Sequence, residues 1–200
     1  MEEERLSTDQ KDYIRKIIFV ADQASEMIQK LLDLDTIQNN KREIVLEEID
    51  PVAELQNLID NYSKQAEQKD IEIHFSFFTL NGFFRTDKQH FIRICDNLLS
   101  NAIKFSPHRR DIYVKVLEKM DRLILEFIDE GKGISDKDKP YLFKKFQRLT
   151  SQPTGGENSS GLGLAIVKAL VEDLDGTINY VNEPEKGANF TVILPKKEID

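Results

Sequence analysis

Apolar residues fall at Ile14, Ile17, Ala21, Ala24, Ile28 and Leu31, in alternating steps of three and four. That is the spacing of a helix–helix seam about three heptads long. A second stripe, Tyr13, Val20, Met27 and Leu34, widens the apolar face. So wide a face predicts packing in a bundle or between molecules rather than on the chain's own domain. Ser7 with Gln10 has the form of a capping box at the start of this helix, and Asn39, Asn40 and Lys41 end the pattern.

Beyond this point the period changes repeatedly, and residues 42–200 read as one α+β unit. Ile44 and Leu46 suggest a short strand. Asp50-Pro51 is an N-cap followed by proline at the first helical position, and Val52, Leu55, Ile59, Tyr62 and Ala66 mark the face of the helix that follows. Strict alternation at Ile71, Ile73, Phe75 and Phe77 predicts a half-buried strand. Asp87 can cap a helix that contains DNLLSNAIKFS. Two strands follow, DIYVKVLE and RLILEFID, joined by a tight turn near Met120-Asp121. The polar run TSQPTGGENSS, residues 150–160, predicts a mobile loop. A helix within GLGLAIVKALVEDL comes next, then strands from about Thr177 to Asn182 and from Asn189 to Leu194. There is no internal repeat.

Composition narrows the class. With 200 residues, 32% charged and 40% hydrophobic, the chain is a globular domain with one added element rather than a disordered one. A net charge of -8 argues against a nucleic-acid backbone as partner, because phosphate chains select basic faces. An acidic protein that binds nucleotide phosphates needs a metal ion and a few well-placed cations. The one cysteine, Cys95, lies inside a helical pattern and reads as a buried thiol. No apolar run reaches membrane-spanning length, and MEEERLSTDQ lacks the features of a signal peptide. A cytoplasmic portion is expected, whose parent protein is or is not membrane-anchored through other parts.

Four separated patches carry the candidate chemistry. In DNLLSNAIKFS, Asn97, Asn101 and Lys104 share one helical face. A carboxamide oxygen is a hard neutral ligand suited to magnesium, and a lysine one turn away can neutralise phosphate. Taken alone, an exposed polar stripe explains these residues too. Asp129-Glu130-Gly131-Lys132-Gly133-Ile134 follows a strand directly. A carboxylate there only accepts hydrogen bonds, so it can take the amino group of adenine and disfavours guanine's carbonyl oxygen. The two glycines allow a sharp turn against a flat base, although glycine turns are common. In LFKKFQRL, Phe143 and Phe146 most simply anchor a short helix, and Arg148 can reach a terminal phosphate. Ser160-Gly161-Leu162-Gly163-Leu164 runs from a loop into a helix start, where backbone N–H groups bind anions. Its spacing is neither that of a P-loop nor that of a dinucleotide fingerprint.

In this order the four patches resemble the N, G1, F and G2 boxes of the ATP-binding domain of sensor histidine kinases, within the wider superfamily of Bergerat-fold ATPases. The resemblance runs from about Glu43 to the end, where DGTINYVNEPEKGANFTVILP matches the family's closing segment, including Gly176 and Gly187. LLDLDTIQNNK, at the end of the first helix, is similar to the second helix of the family's dimerisation hairpin. The resemblance implies a two-layer α/β sandwich, a mixed sheet with helices on one face, preceded by a long helix over residues 1–41. It implies ATP and Mg2+ as ligands, with Asn101 on the metal and Asn97 supporting the metal–phosphate region. Lys104 would contact phosphate, with Arg148 at the terminal one, and Asp129 would read adenine. Gly131 and Gly133 would shape the base pocket, and Phe105, Ile134, Ser160, Leu162 and Leu164 would line the nucleotide. Residues 147–160 would form an ATP lid hinged at Gly161 and Gly163. Ser159 departs from the pattern, standing where the family has the first glycine of its G2 run.

Related ATP hydrolases carry a glutamate four residues before the magnesium asparagine, as the base for water. Here that position is Asn97, an amide that cannot take the proton, which favours the kinase reading. The family's phosphoacceptor is a histidine followed by an acidic residue on the first hairpin helix. His74-Phe75, His90-Phe91 and His108-Arg109 lack that context, so structural or surface roles are expected for all three. The expectation is a piece of a longer kinase that binds Mg-ATP and does not phosphorylate itself. The complete protein would dimerise through its helical hairpin and pass phosphate to a response-regulator aspartate. A second reading, a nucleotide-sensing or degenerate interaction module of the same fold, is separated from the first by Mg-dependent ATP binding.

Overall fold

The computed structural model describes residues 7–38, 43–78, 82–147, 149–155, 160–183 and 186–197. Helix α1 spans Thr8–Gln38 and opens with the capping box expected of it. Ser7 N–H donates to Gln10 Oε1 at 2.8 Å, and Gln10 N–H donates to Ser7 Oγ at 3.2 Å. Strand β1 (Glu47–Ile49) pairs antiparallel with β3 (Phe84–Thr86). Helix α2 (Pro51–Glu67) starts at the Asp50 cap, whose Oδ1 accepts from Val52 N–H and Ala53 N–H. Strand β2 (Glu72–Phe78) and helix α3 (Lys88–Phe105) follow, and Asp87 Oδ1 accepts from His90 N–H to cap α3. The order is completed by β4 (Asp111–Glu118), β5 (Arg122–Asp129), a 3-10 turn (Lys139–Tyr141), α4 (Gly163–Asp173), β6 (Thr177–Asn182) and β7 (Ala188–Pro195).

Five strands form one mixed sheet in the order β2-β4-β5-β7-β6. Only β2 and β4 run parallel, which suits the helix-containing connection between them; the other pairs are antiparallel. Alternate residues of β4 and β5, among them Ile112, Val114, Leu123, Leu125 and Phe127, are buried. They meet Leu98, Leu99 and Ile103 of α3 and Ile166, Val167 and Leu170 of α4 in one core, with helices α2, α3 and α4 against the sheet. Lys115 and Glu126, opposite each other in the register, form an ion pair at 3.3 Å among the more exposed positions of the same strands. The arrangement is the two-layer sandwich expected from the sequence, with a long helix before it.

Several expectations shift. The strand expected around Ile44 and Leu46 forms at Glu47–Ile49, because its partner β3, which the pattern did not announce, pairs with those residues. Val45 N–H is held instead by Asp87 Oδ2 at 3.0 Å. In β2 the alternation outruns the core: Ile73 and Phe75 are half-buried, whereas Phe77 is exposed. Helix α4 begins at Gly163, two residues after the GLGL run begins. On α1, Ile14, Ile17, Val20 and Ile28 are exposed, so these positions of the stripes read as a seam are not covered by the chain's own core. Leu31 and Leu34 of the same stripes have side chains outside the described set.

Candidate nucleotide site

A cavity of about 300 Å³ opens between the C-terminal part of α3, the turn after β5, the N-terminus of α4 and the start of β7. Asn101, Phe105, Asp129, Gly131, Gly133, Ile134, Gly161, Gly163 and Leu164 all line it, and Leu142, Gln147 and Leu149 of LFKKFQRL join them, so segments from all four sequence patches converge on one space.

Asp129 sits at the end of β5 and is 6% exposed. Its Oδ1 accepts from Gly131 N–H at 2.8 Å and from Ala188 N–H at 3.1 Å, which fixes the carboxyl group in place. Oδ2 takes no hydrogen bond from the described residues. Burial pushes this carboxyl up to about 6, against the pull of those two backbone donors. The backbone around it is closely drawn: a Cβ on Gly187 would stand 2.3 Å from Asp129 Oδ1 and 2.5 Å from Gly131 N. Only a residue without a side chain fits there, and Gly187 N–H also donates to the Asp129 carbonyl at 2.8 Å.

Gly133 adopts φ +65°, and Ile134 N–H is gripped by Tyr180 Oη at 2.9 Å and Asn182 Oδ1 at 3.1 Å. Tyr180 and Asn182 of β6 thus brace the glycine turn, a role with no signal in their sequence context.

At the far end, α3 and α4 meet beside the two asparagines. A Cβ on Gly163 would lie 3.1 Å from Asn97 Oδ1 and 3.6 Å from Asn101 Nδ2. Asn101 lines the cavity, whereas Asn97 and Lys104 do not. Asn97 Nδ2 donates to Arg93 O at 2.8 Å, so this amide is tied to its own helix with its oxygen toward α4. The N-terminus of α4 has no side-chain cap and no acidic residue in its first turn, and its first helical bond runs from Ile166 N–H to Leu162 O. Its leading N–H groups are therefore directed donors of the kind that hold phosphate. Leu162 is fully buried in the core, and Ser160 Oγ accepts from Leu162 N–H at 3.4 Å; neither lines the cavity.

The third patch is placed differently from its reading. Leu142, not the aromatics, is the buried anchor that lines the cavity, and it follows directly on the short 3-10 segment Lys139–Tyr141. Phe143 is half-buried against the core, while Phe146 is exposed at φ +59°, the left-handed region. Arg148 lies outside the described residues, as does Ser159.

Gln147 and Leu149 of the same patch line the cavity too, and the loop after it, part of the expected lid, adds Thr150, Ser151 and Thr154. Thr150, Ser151 and Thr154 are hydrogen-bonded to the framework, so the run read as mobile is tied down at these three positions. Asp138 Oδ2 accepts from Thr150 N–H at 3.1 Å, and Ser151 Oγ donates to Gly133 O at 3.1 Å. The loop also returns to its start: a Cβ on Gly161, at φ +69°, would stand 2.7 Å from Gln147 O.

The site fits the expected ligands on its own chemistry. Gly131 and Gly133 line the cavity beside a carboxylate that accepts only, as the amino group of adenine requires. Asn101 is a single neutral oxygen donor, suited to a magnesium ion that arrives already bound by phosphates.

Comparisons with known proteins agree. The family described as Histidine kinase-, DNA gyrase B-, and HSP90-like ATPase matches residues 86–198. Over 97% of the chain, it is 29% identical to the circadian input-output histidine kinase CikA and 31% identical to the sensor protein SphS, both of Synechococcus elongatus. The chain spans 26% of the length of the first relative and 49% of the second. Among solved structures, the Acinetobacter baumannii histidine kinase AdeS superposes with TM-score 0.79 at 22% identity, covering 97% of this chain and 87% of that one. Full-length ShkA in complex with AMPPNP superposes with TM-score 0.81 at 21% identity, covering 100% of this chain and 42% of that one. With its fold, its cavity and its matched sequence in accord, the chain belongs to the Histidine kinase-, DNA gyrase B-, and HSP90-like ATPase family, as an ATP-binding catalytic region of the sensor histidine kinase type.

Proposed function

We propose that the cavity binds Mg-ATP and presents its γ-phosphate to a histidine of a sensor kinase. The observation that carries this reading is the buried Asp129 carboxylate, fixed at one oxygen by Gly131 and Ala188, in a cavity that also holds Asn101 and the uncapped α4 N-terminus. Asp129 Oδ2 accepts the exocyclic amino group of adenine. Asn101 offers its oxygen to the Mg2+ that the triphosphate brings, and the leading N–H groups of α4 take phosphate oxygens. Lys104 and Arg148 neutralise phosphate charge, and Asn97 holds the α3–α4 contact that positions Asn101. Residues 147–160 act as the lid over the triphosphate, and residues 1–41 belong to a dimerisation hairpin, apart from the ATP-binding domain of residues 42–200.

In the transfer, the imidazole nitrogen of the acceptor attacks Pγ, the Pγ–O bond to the β-phosphate breaks, and ADP leaves with the electron pair. Asn97 cannot take a proton from water, so a protein side chain rather than water is the acceptor. The three histidines here are poor acceptors: His90 is 4% exposed, His74 lies beside Glu72 and Asp111, and His108 is followed by Arg109. The chain therefore binds ATP without phosphorylating itself. The phosphohistidine forms elsewhere in the whole protein, which acts as a homodimer through its hairpin and passes phosphate to a response-regulator aspartate. Nucleic acid has no part in this, and any membrane attachment belongs to other segments, since no described helix is long and apolar enough to cross a bilayer.

Incubation with γ-labelled ATP tests the reading. Neither phosphohistidine on this chain nor sustained phosphate release is expected, and transfer should appear when a polypeptide carrying the kinase's acceptor helix is added. Rapid phosphate release by the chain alone would contradict the role given to Asn97.

A further inference from the structure

Lys69 is a buried cation that no nucleotide motif includes, lying between α2 and β2 at 5% exposure. Its Nζ donates to Ile103 O at 2.6 Å, to Lys104 O at 3.2 Å and to Thr154 Oγ1 at 2.7 Å. An ammonium has three N–H donors, and acceptors placed around it are what keep a buried charge tolerable. Two of the acceptors are carbonyls from the last turn of α3, where a helix lacks internal donors and its dipole favours a cation. The third belongs to the loop that walls the nucleotide cavity. Thr154 completes the link: its N–H donates to Lys104 O at 3.0 Å, and its hydroxyl hydrogen faces the carbonyl of Ser106.

We propose that Lys69 and Thr154 are positioning residues for the nucleotide. Together they pin the 149–154 wall of the cavity to the end of the helix that carries Asn101. This deepens the ATP-binding reading and rests on it. The geometry has a direct consequence for the site, because Thr154 and Asn101 line one cavity and are fixed to the same helix. With the wall pinned at Thr154, as it is at Thr150 by Asp138 and at Ser151 by Gly133, nucleotide enters a preformed slot and does not have to order these residues on binding.

The test uses the whole chain with Thr154→Val, which keeps the shape and removes the hydroxyl, Thr154→Ser, which restores it, and Lys69→Met. Hydrogen exchange without nucleotide reads the pin directly: protection of the Thr154 amide, which donates to Lys104 O, should fall about tenfold in Thr154→Val and return in Thr154→Ser. Affinity for a fluorescent ATP analogue with Mg2+ should fall about fivefold in Thr154→Val, and the Lys69→Met/Thr154→Val double variant should be no worse than Lys69→Met alone. A purely structural Lys69 would lower stability without this non-additivity. Unchanged exchange in Thr154→Val overturns the pin whether or not nucleotide binds. Altered exchange with unaltered affinity overturns the positioning role, and failure of the unsubstituted chain to bind the analogue overturns the ATP reading beneath it.

Discussion

At the scale of single residues, Asp129 shows a site taking its chemistry at the expense of stability. Its carboxyl is raised from an ordinary 3.8 to about 6 by burial, which corresponds to roughly 3 kcal/mol. The folded group holds its proton more tightly than the unfolded one. Its contribution to stability is therefore complete below about pH 4 and is lost as pH rises through about 6. Asp129→Asn keeps an oxygen for Gly131 and Ala188 without the charge, so it should raise the melting temperature of the nucleotide-free chain at pH 7.5. The same change should weaken ATP binding at least about tenfold, because an amide presents a donor as well as an acceptor to adenine. Gly187→Ala offers the opposite signature. Its Cβ would collide with Asp129 Oδ1 and the backbone of Gly131, so both the melting temperature and ATP binding should fall.

Among the elements, α3 organises the site, and its start is as specified as its end. Asp87 caps it through His90 N–H and also holds Val45, the residue leading into β1. Burial raises the carboxyl of Asp87, but the donors at His90 and Val45 outweigh it, so its pKa lies below the ordinary value. That contribution is present above about pH 4 and is lost on acidification, the reverse of Asp129. Asp87→Ala should cost about 1–2 kcal/mol in denaturant unfolding. This capping was legible from one aspartate before an apolar-periodic run, as were the capping box at Ser7 and the matched strands β4 and β5. β3 was not legible, since three residues among aromatic neighbours carry no period and acquire strand geometry only by pairing with β1. Thr150, Ser151 and Thr154 were expected within the lid of residues 147–160, but their contacts were not legible. Polar residues in a Gly-rich run look mobile until the tertiary partners Asp138, Gly133 and Lys69 are in place. Asn101, Asp129, Gly131 and Gly133, singled out through four boxes in order, do line one cavity, whereas Lys69 belongs to no box and lies 34 positions from its nearest carbonyl partner.

For the molecule as a whole, two faces matter: the cavity and the exposed apolar residues of α1, among them Ile14, Ile17, Val20 and Ile28. Ile17 is 68% exposed, so Ile17→Asp should change the stability of the chain by no more than about 0.5 kcal/mol and leave ATP affinity unaltered. In the whole kinase the same change should weaken self-association measured by sedimentation, if α1 lies in the dimer hairpin. The most direct measurement of the central claim is a titration of the unmodified chain with a fluorescent ATP analogue, with and without Mg2+. Asn101→Ala and Asp129→Asn should be titrated in parallel, with ATP and GTP as competitors. Binding should require Mg2+, yield to ATP but not to GTP, lose its metal dependence in Asn101→Ala and weaken in Asp129→Asn. Binding that is absent from the unmodified chain, or that ignores both substitutions, would contradict the account.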